Sequence, residues 1–276
     1  MLGILIFSGT LPATRVAVAS FDPVFFTLAR AAIAGVLAVL LLVVLRQSRP
    51  SRSDIRGLIV VAIGVVVGFP LLIALVLRHV SAAHATVFVG LLPMATVIFS
   101  VLHGDKNPPW LFWLFSLSGS LVVIAFVMGQ GGYALASDDL LMLIAVSICG
   151  LGYAEGARLA RHMGGWQVIC WASVFSLPVI LPLCFWTLPD NFQHVTWPAL
   201  LSLGYVSVFS SLLGFFFWYR GLALGGIASI SQLQLLQPFF GLAFAAVLLG
   251  EQVSMIMIAS TMAVVLCVVV TRRFAS

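Results

Sequence analysis

The chain has 276 residues, of which 62% are hydrophobic and 8% charged, with 13 Lys+Arg against 8 Asp+Glu. Its mean hydropathy is +1.20. A soluble domain carries about a quarter charged residues to cover its surface, so this composition excludes a cytosolic enzyme, a secreted disulfide scaffold, a nucleic-acid-binding domain and a disordered chain.

The apolar residues come in runs of about 20, the length an α-helix needs to cross roughly 30 Å of hydrocarbon. In chain order the runs predict an all-α integral membrane protein with ten transmembrane helices. The first five cover 2–19, 25–45, 57–77, 83–102 and 108–128, and the others 139–157, 167–187, 197–217, 227–249 and 253–271. The first run starts at Met1 and meets Arg15 with no basic leader or small-residue cleavage site, so it reads as a span and not a signal peptide. The connections are too short for a soluble domain, which puts the function among the helices. Cys149, Cys170, Cys184 and Cys267 all lie in apolar runs without a CxxC and read as small buried hydrophobes.

Positive charge sets the orientation. Connections after even-numbered spans hold Arg46, Arg49, Arg52, Arg56, Lys106, Arg158, Arg161, Arg220, Arg272 and Arg273, and those after odd-numbered spans hold only Arg78. Loops rich in Lys and Arg stay cytoplasmic, so both termini are expected in the cytoplasm, in a bacterial inner membrane. Trp110, Trp113, Trp186, Trp197 and Trp218 fall near span ends, where indole rings settle at the headgroups.

The two halves resemble each other at a steady offset. Gly9 and Arg15 recur as Gly152 and Arg158, 143 positions on, and Pro93 recurs as Pro238, 145 on. SAAHAT (81–86) matches GIASIS (226–231), and Gly104-Asp105 matches Gly250-Glu251 at 146. This predicts two five-helix repeats, 1–130 and 131–276. An odd number of helices per repeat inverts the second copy, the architecture of secondary transporters with a binding site at the midplane.

These residues also carry a family resemblance. The chain resembles the drug/metabolite transporter superfamily, in particular its EamA-type ten-span exporters. FSGTLPATR (7–15) stands where that family has a pattern like WGSNFVAIK, and LAR (28–30) where it has LRF. Pro93 with Gly104-Asp105, and Pro238 with LLGEQ (248–252), match its mid-helix proline and terminal Gly-Glu. Phe7 replaces the usual tryptophan and Asp105 the usual glutamate. The resemblance implies export of amino acids or similar small metabolites, including aromatic or apolar ones.

Polar residues inside spans are costly and so mark candidates. In the ninth span Gln232, Gln234 and Gln237 precede Pro238. Their amides either hold a substrate's ammonium and carboxylate or bond across helices. The fourth span offers His84, Thr86 and Pro93, and His84 reads either as a packing residue or as a proton carrier. The first offers Thr10 beside Gly9 and before Pro12, a weak point suited to a gate. Of the aromatic run FFFWY (215–219), one or two rings line a greasy cavity, and Trp218 is placed with the substrate-binding group. Arg15 is expected to snorkel. Arg30 is deeper and either pairs with Asp22 or attracts a carboxylate, with a structural or gating role preferred. Glu155, three residues before Arg158, reads as half of a helix-surface ion pair.

No GxxxxGK[ST] loop occurs, so transport would not be driven by ATP bound to this chain, and no cofactor or metal is expected. Scarce titratable groups favour facilitated movement over tight proton coupling. His79 and His84 have no acid near them in sequence, and HExxH and GxSxG are absent, which disfavours an enzyme. The remaining alternatives are a carrier of nucleotide sugars or drug-like cations, a passive channel and a structural subunit. The expected partners are a small-molecule substrate and the lipid bilayer, and a monomer suffices. In a background with the native cysteines replaced, Pro50→Cys and Asn107→Cys should react with an impermeant maleimide only from the cytoplasmic side, and Asp190→Cys only from outside. The reverse labelling would overturn the charge count.

Overall fold

A computed structural model describes residues 1–107, 109–111, 113–114, 117–118, 121–122 and 137–274, with only the backbone described for 228–229, 232, 235, 264, 267–269 and 271–274. All regular structure among the described residues is helical. We label the helices α1 (Leu2–Val18), α2 (Pro23–Val44), α3 (Arg52–Val76), α4 (Ala82–Leu102), α5 (Ser137–Met163), α6 (Gly165–Trp186) and α7 (Trp197–Gly225). After them come α8 (Ile227–Ser231), a 3₁₀ turn (Gln232–Leu235), α9 (Leu236–Leu249) and α10 (Met255–Phe274). Six of these, α2 to α7, are long and apolar enough to cross a membrane. The expected fifth span, 108–128, falls largely outside the described residues.

Helix starts follow capping chemistry. Asp22 accepts the amides of Val24 and Phe25 at 2.9 and 3.2 Å, with Pro23 next in the chain. Ser81 accepts the His84 amide at 3.1 Å, and Glu251 reaches over from beyond α9 to take the Ala82 and Ala83 amides at 3.0 and 2.9 Å. A carboxylate across two free N–H groups suits the positive end of a helix. Several helices overrun the windows read from sequence. α3 begins at Arg52, α5 continues to Met163 and α7 to Gly225, so Arg158, Arg161 and Arg220 sit on final helical turns and not in loops.

The helices are broken at related places. α1 is interrupted at Gly9, and α4 turns at Gly90-Leu91 ahead of Pro93. The 3₁₀ turn precedes Pro238 in the same way. Both α3 and α7 carry a π-helical segment, Ala62–Gly68 and Val206–Leu213, whose starts are 144 positions apart (206 − 62). An inserted residue of this kind widens a helix and leaves carbonyls for other donors.

Packing crosses between the chain's halves. α1 lies against α7 and α9, and α5 lies against α3 and α4. Small residues permit the second contact, as they do where helices pack without a hydrophobic drive in lipid. A Cβ on Gly64 would come within 2.5 Å of the Ile148 carbonyl, and one on Gly152 within 2.5 Å of Val65.

Charge collects at the two ends. At one end Asp54 pairs with His162 at 3.0 Å, Asp105 with Arg161 at 3.1 Å, and Glu155 with Arg158 and with His103 at 3.6 Å. At the other, His84 pairs with Asp139 at 2.8 Å and His79 with Asp138 at 3.6 Å, and Arg15 donates to the Leu77 carbonyl. Two sequence expectations are corrected here. The histidines have acidic partners, contributed by a helix more than fifty residues away, and Arg15 caps the end of α3 where snorkelling was expected. Trp186 and Trp197 are exposed at helix ends, whereas Trp218 is 3% exposed and stands apart from the interfacial rings.

Glu251→Ala should lower the melting temperature of the detergent-purified chain by a few degrees, reflecting loss of about 1 kcal/mol of capping. Glu251→Gln keeps an acceptor oxygen and should lose less. Equal melting for all three proteins would contradict the cap.

Candidate functional site

The helix breaks bring polar groups together inside the bundle. At Gly9 the chain of α1 passes so close to α7 that a Cβ would meet the Tyr205 hydroxyl at 2.5 Å. Only glycine fits there. The Tyr205 hydroxyl donates to the Ile6 carbonyl at 2.6 Å, and the Thr10 and Ser210 hydroxyls bond at 2.9 Å. Ser8 donates to Ile4 at 2.7 Å and reaches the Gln237 carbonyl at 3.4 Å, tying α1 to α9.

Arg30 occupies the neighbouring turn of α2 and is 4% exposed. It is the eighth residue of its helix, roughly 10 Å from the start at 1.5 Å per residue. Its Nε and Nη2 donate to the Ser211 hydroxyl at 3.2 and 2.8 Å. Ser211 in turn donates to the carbonyl of Val206 at 2.8 Å, five residues back in the π-helical segment. The hydroxyl proton is thereby turned away and its lone pairs face the guanidinium. Arg30 does not pair with Asp22, which is occupied by its own helix cap.

A cavity of about 30 Å³ opens beside these groups, room for a water molecule or two. Ligand pockets typically span about 300–1,000 Å³, so the bundle must open further here to admit a metabolite. Thr10, Arg30, Tyr153, Ser210 and Gln237 supply its polar lining, and Phe7, Phe69 and Phe215 its largest apolar surfaces. Helices α1 to α5, α7 and α9 all contribute. Phe7 packs on Phe215 with ring centroids 4.8 Å apart, and Tyr153 stands edge-on to Phe215 at 5.9 Å. A second space of about 390 Å³ lies between α1, α7 and α9, with Ser202 and Tyr205 as its polar lining among the described residues. It has no charged group, and the Tyr205 hydroxyl is already bonded. The smaller cavity therefore holds the recognition chemistry.

Of the residues singled out from sequence, Thr10, Arg30 and Gln237 line the cavity. Gln234, 1% exposed, stands behind Gln237 and donates to its Oε1 at 3.2 Å, while its own Oε1 is among the buried atoms without a partner. Trp218 does not line the cavity. It sits beside Phe7 and Tyr153, at 6.3 and 5.6 Å, and its Nε1 is buried and unpartnered. Thr86 donates to Ala82 at 2.7 Å in its own helix and packs against Gly241, and His84 is held at the end of the bundle by Asp139. Pro12, Pro93 and Pro238 mark helix breaks, with Pro12 on the wall of the second space. Arg15 and Glu155 belong to the two charged ends. The Gln232 side chain lies outside the described residues.

Sequence reasoning missed Tyr153, Ser210 and Ser211. Two adjacent serines in an apolar span were a usable signal, but nothing local shows that a π-helical turn aims one at Thr10 and the other at Arg30.

Comparison with known proteins identifies the family. The EamA-like transporter family model matches residues 1–128 and 136–273. A Bacillus subtilis (strain 168) protein named "Uncharacterized transporter YdeK" is 58% identical over 274 residues, covering 99% of this chain and 96% of its own. A "Probable terminal-alkyne amino-acid exporter" of Streptantibioticus cattleyicolor is 25% identical over 260 residues, covering 91% of this chain and 84% of its own. A solved crystal structure shares the fold with a TM-score of 0.70 at 18% identity, over 100% of this chain and 96% of that one. The chain belongs to the EamA-like transporter family.

Proposed function

We propose that this transporter exports amino acids and similar small metabolites, including aromatic or apolar ones, by alternating access around the cavity at Arg30. The observation that carries the reading is the cavity itself, a polar and aromatic space inside the bundle lined by helices from both halves of the chain. Gln237 and Thr10 orient the substrate, and Phe7, Phe69 and Phe215 take its apolar body. The distant relative named as an amino-acid exporter agrees with such a substrate.

The cycle belongs to two inverted repeats, 1–130 and 131–276, each of five helices. Three observations support the duplication. The family model matches two successive segments, the π-helical segments recur at one offset, and the first helix of each repeat packs on the third and fourth helices of the other. The ten-to-one distribution of Lys and Arg supports cytoplasmic termini in the inner membrane. Among the described residues no Asp or Glu lines the cavity, which favours facilitated movement.

In proteoliposomes loaded with radiolabelled amino acids, the wild-type chain should release at least one aromatic or branched-chain substrate. Gln237→Leu removes a lining amide and strands the Gln234 donor, so it should cut that flux about tenfold or more without loss of folded protein. Undiminished flux in Gln237→Leu would remove the amide from the site. Glu155→Gln lies at the charged end and should leave the flux independent of a pH gradient, as in the wild type. A pH-gradient dependence of wild-type flux that Glu155→Gln abolishes would reveal proton coupling instead.

A further inference from the structure

We infer that Arg30 with Ser211 is the counter-ion site for a substrate carboxylate, and that the cavity takes apolar monocarboxylates whether or not they carry an α-ammonium. The inference rests on the transport reading above and specifies the headgroup that reading leaves open.

Every Asp and Glu of the chain is engaged or exposed away from Arg30. The sequence has eight Asp and Glu residues. Asp22 caps α2, and Glu251 caps α4. Asp54, Asp105, Asp138, Asp139 and Glu155 each face a His or Arg at an end of the bundle. Asp190 is exposed in the connection before α7. Arg30 therefore has no carboxylate, although it is buried and within the span Pro23–Val44.

A guanidinium does not lose its proton to escape such a place. An isolated cation there is expensive, and Arg residues inside membranes pair or mark a substrate path. A single serine oxygen accepts from Nε and Nη2, and Nη1 makes no hydrogen bond to the described residues. Arg30 lines the cavity, and a planar fork with an unused arm matches a carboxylate. No anionic side chain in the cavity offers an ammonium comparable compensation. Thr10, Ser210 and Gln237 are neutral and serve a hydroxyl as well as an amine. The drug-like cation alternative is thereby disfavoured.

Three isosteres separate the headgroups: L-phenylalanine, L-3-phenyllactate (ammonium replaced by hydroxyl) and L-phenylalaninol (carboxylate replaced by hydroxymethyl). Each is tested for thermal stabilisation of the purified full-length chain and for counterflow in proteoliposomes. Phenylalanine and phenyllactate should both raise the melting temperature and exchange, and phenylalaninol should do neither. Arg30→Gln should melt no lower than wild type, because it removes an uncompensated charge, yet lose both ligand effects. Arg30→Lys keeps the charge without the fork and should bind about tenfold or more weaker, with Ser211→Ala intermediate. Three results overturn the inference: stabilisation by phenylalaninol equal to phenylalanine, ligand effects retained in Arg30→Gln, or a melting temperature of Arg30→Gln well below wild type. Counterflow of phenylalaninol alone would sink the carboxylate site and leave the transport reading standing. No effect of any of the three compounds, with no flux in the wider amino-acid screen, would take down both.

Discussion

One buried positive charge organises the centre of this protein. Placing Arg30 among apolar helices obliges the chain to provide acceptors where regular helices have none to spare. The solution is local. A π-helical turn in α7 lets Ser211 spend its proton on Val206 and present lone pairs to the guanidinium. One residue along, Ser210 meets Thr10. The irregular turn and the charge are therefore parts of the same device, and π-bulges frequently occur at functional sites for this reason.

The other helix breaks serve the same region. Gly9, the π-helical segment of α3 and the Gly90-Leu91 turn lie on helices that wall the cavity. The acids other than exposed Asp190 pair with a His or Arg at the ends or cap helices. The bundle thus has a neutral shell, two charged ends and a cavity whose lining combines one cation with aromatic rings.

The sequence made the membrane class, six of the spans and the family legible, because runs of about 20 apolar residues have few other physical meanings. Arg30 and Gln237 were also legible, as polar residues in places that penalise them. The details that decide their use were not. Asp139 and His84 are more than fifty positions apart, so a search for neighbouring acids missed their pair. Trp218 reads in sequence both as near a span end and as a substrate-binding residue, but α7 continues to Gly225 and holds it inside the bundle, outside the cavity lining. Ser211 stood out only as a serine next to Ser210 in an apolar run, since its role depends on a widened turn that hydrophobic periodicity does not encode.

The close passage of α1 over Tyr205 has a mechanical meaning. With Gly9 against the phenol and Ile6 bonded to it, α1 has no slack to slide along α7. The glycine-mediated seam between α5 and α3 is equally tight. Each half of the chain has thus lent its leading helix to the other. Any large displacement within the bundle must carry α1 with the second half and α5 with the first, so the rigid units are interlocked composites whose borders do not coincide with the midpoint of the chain.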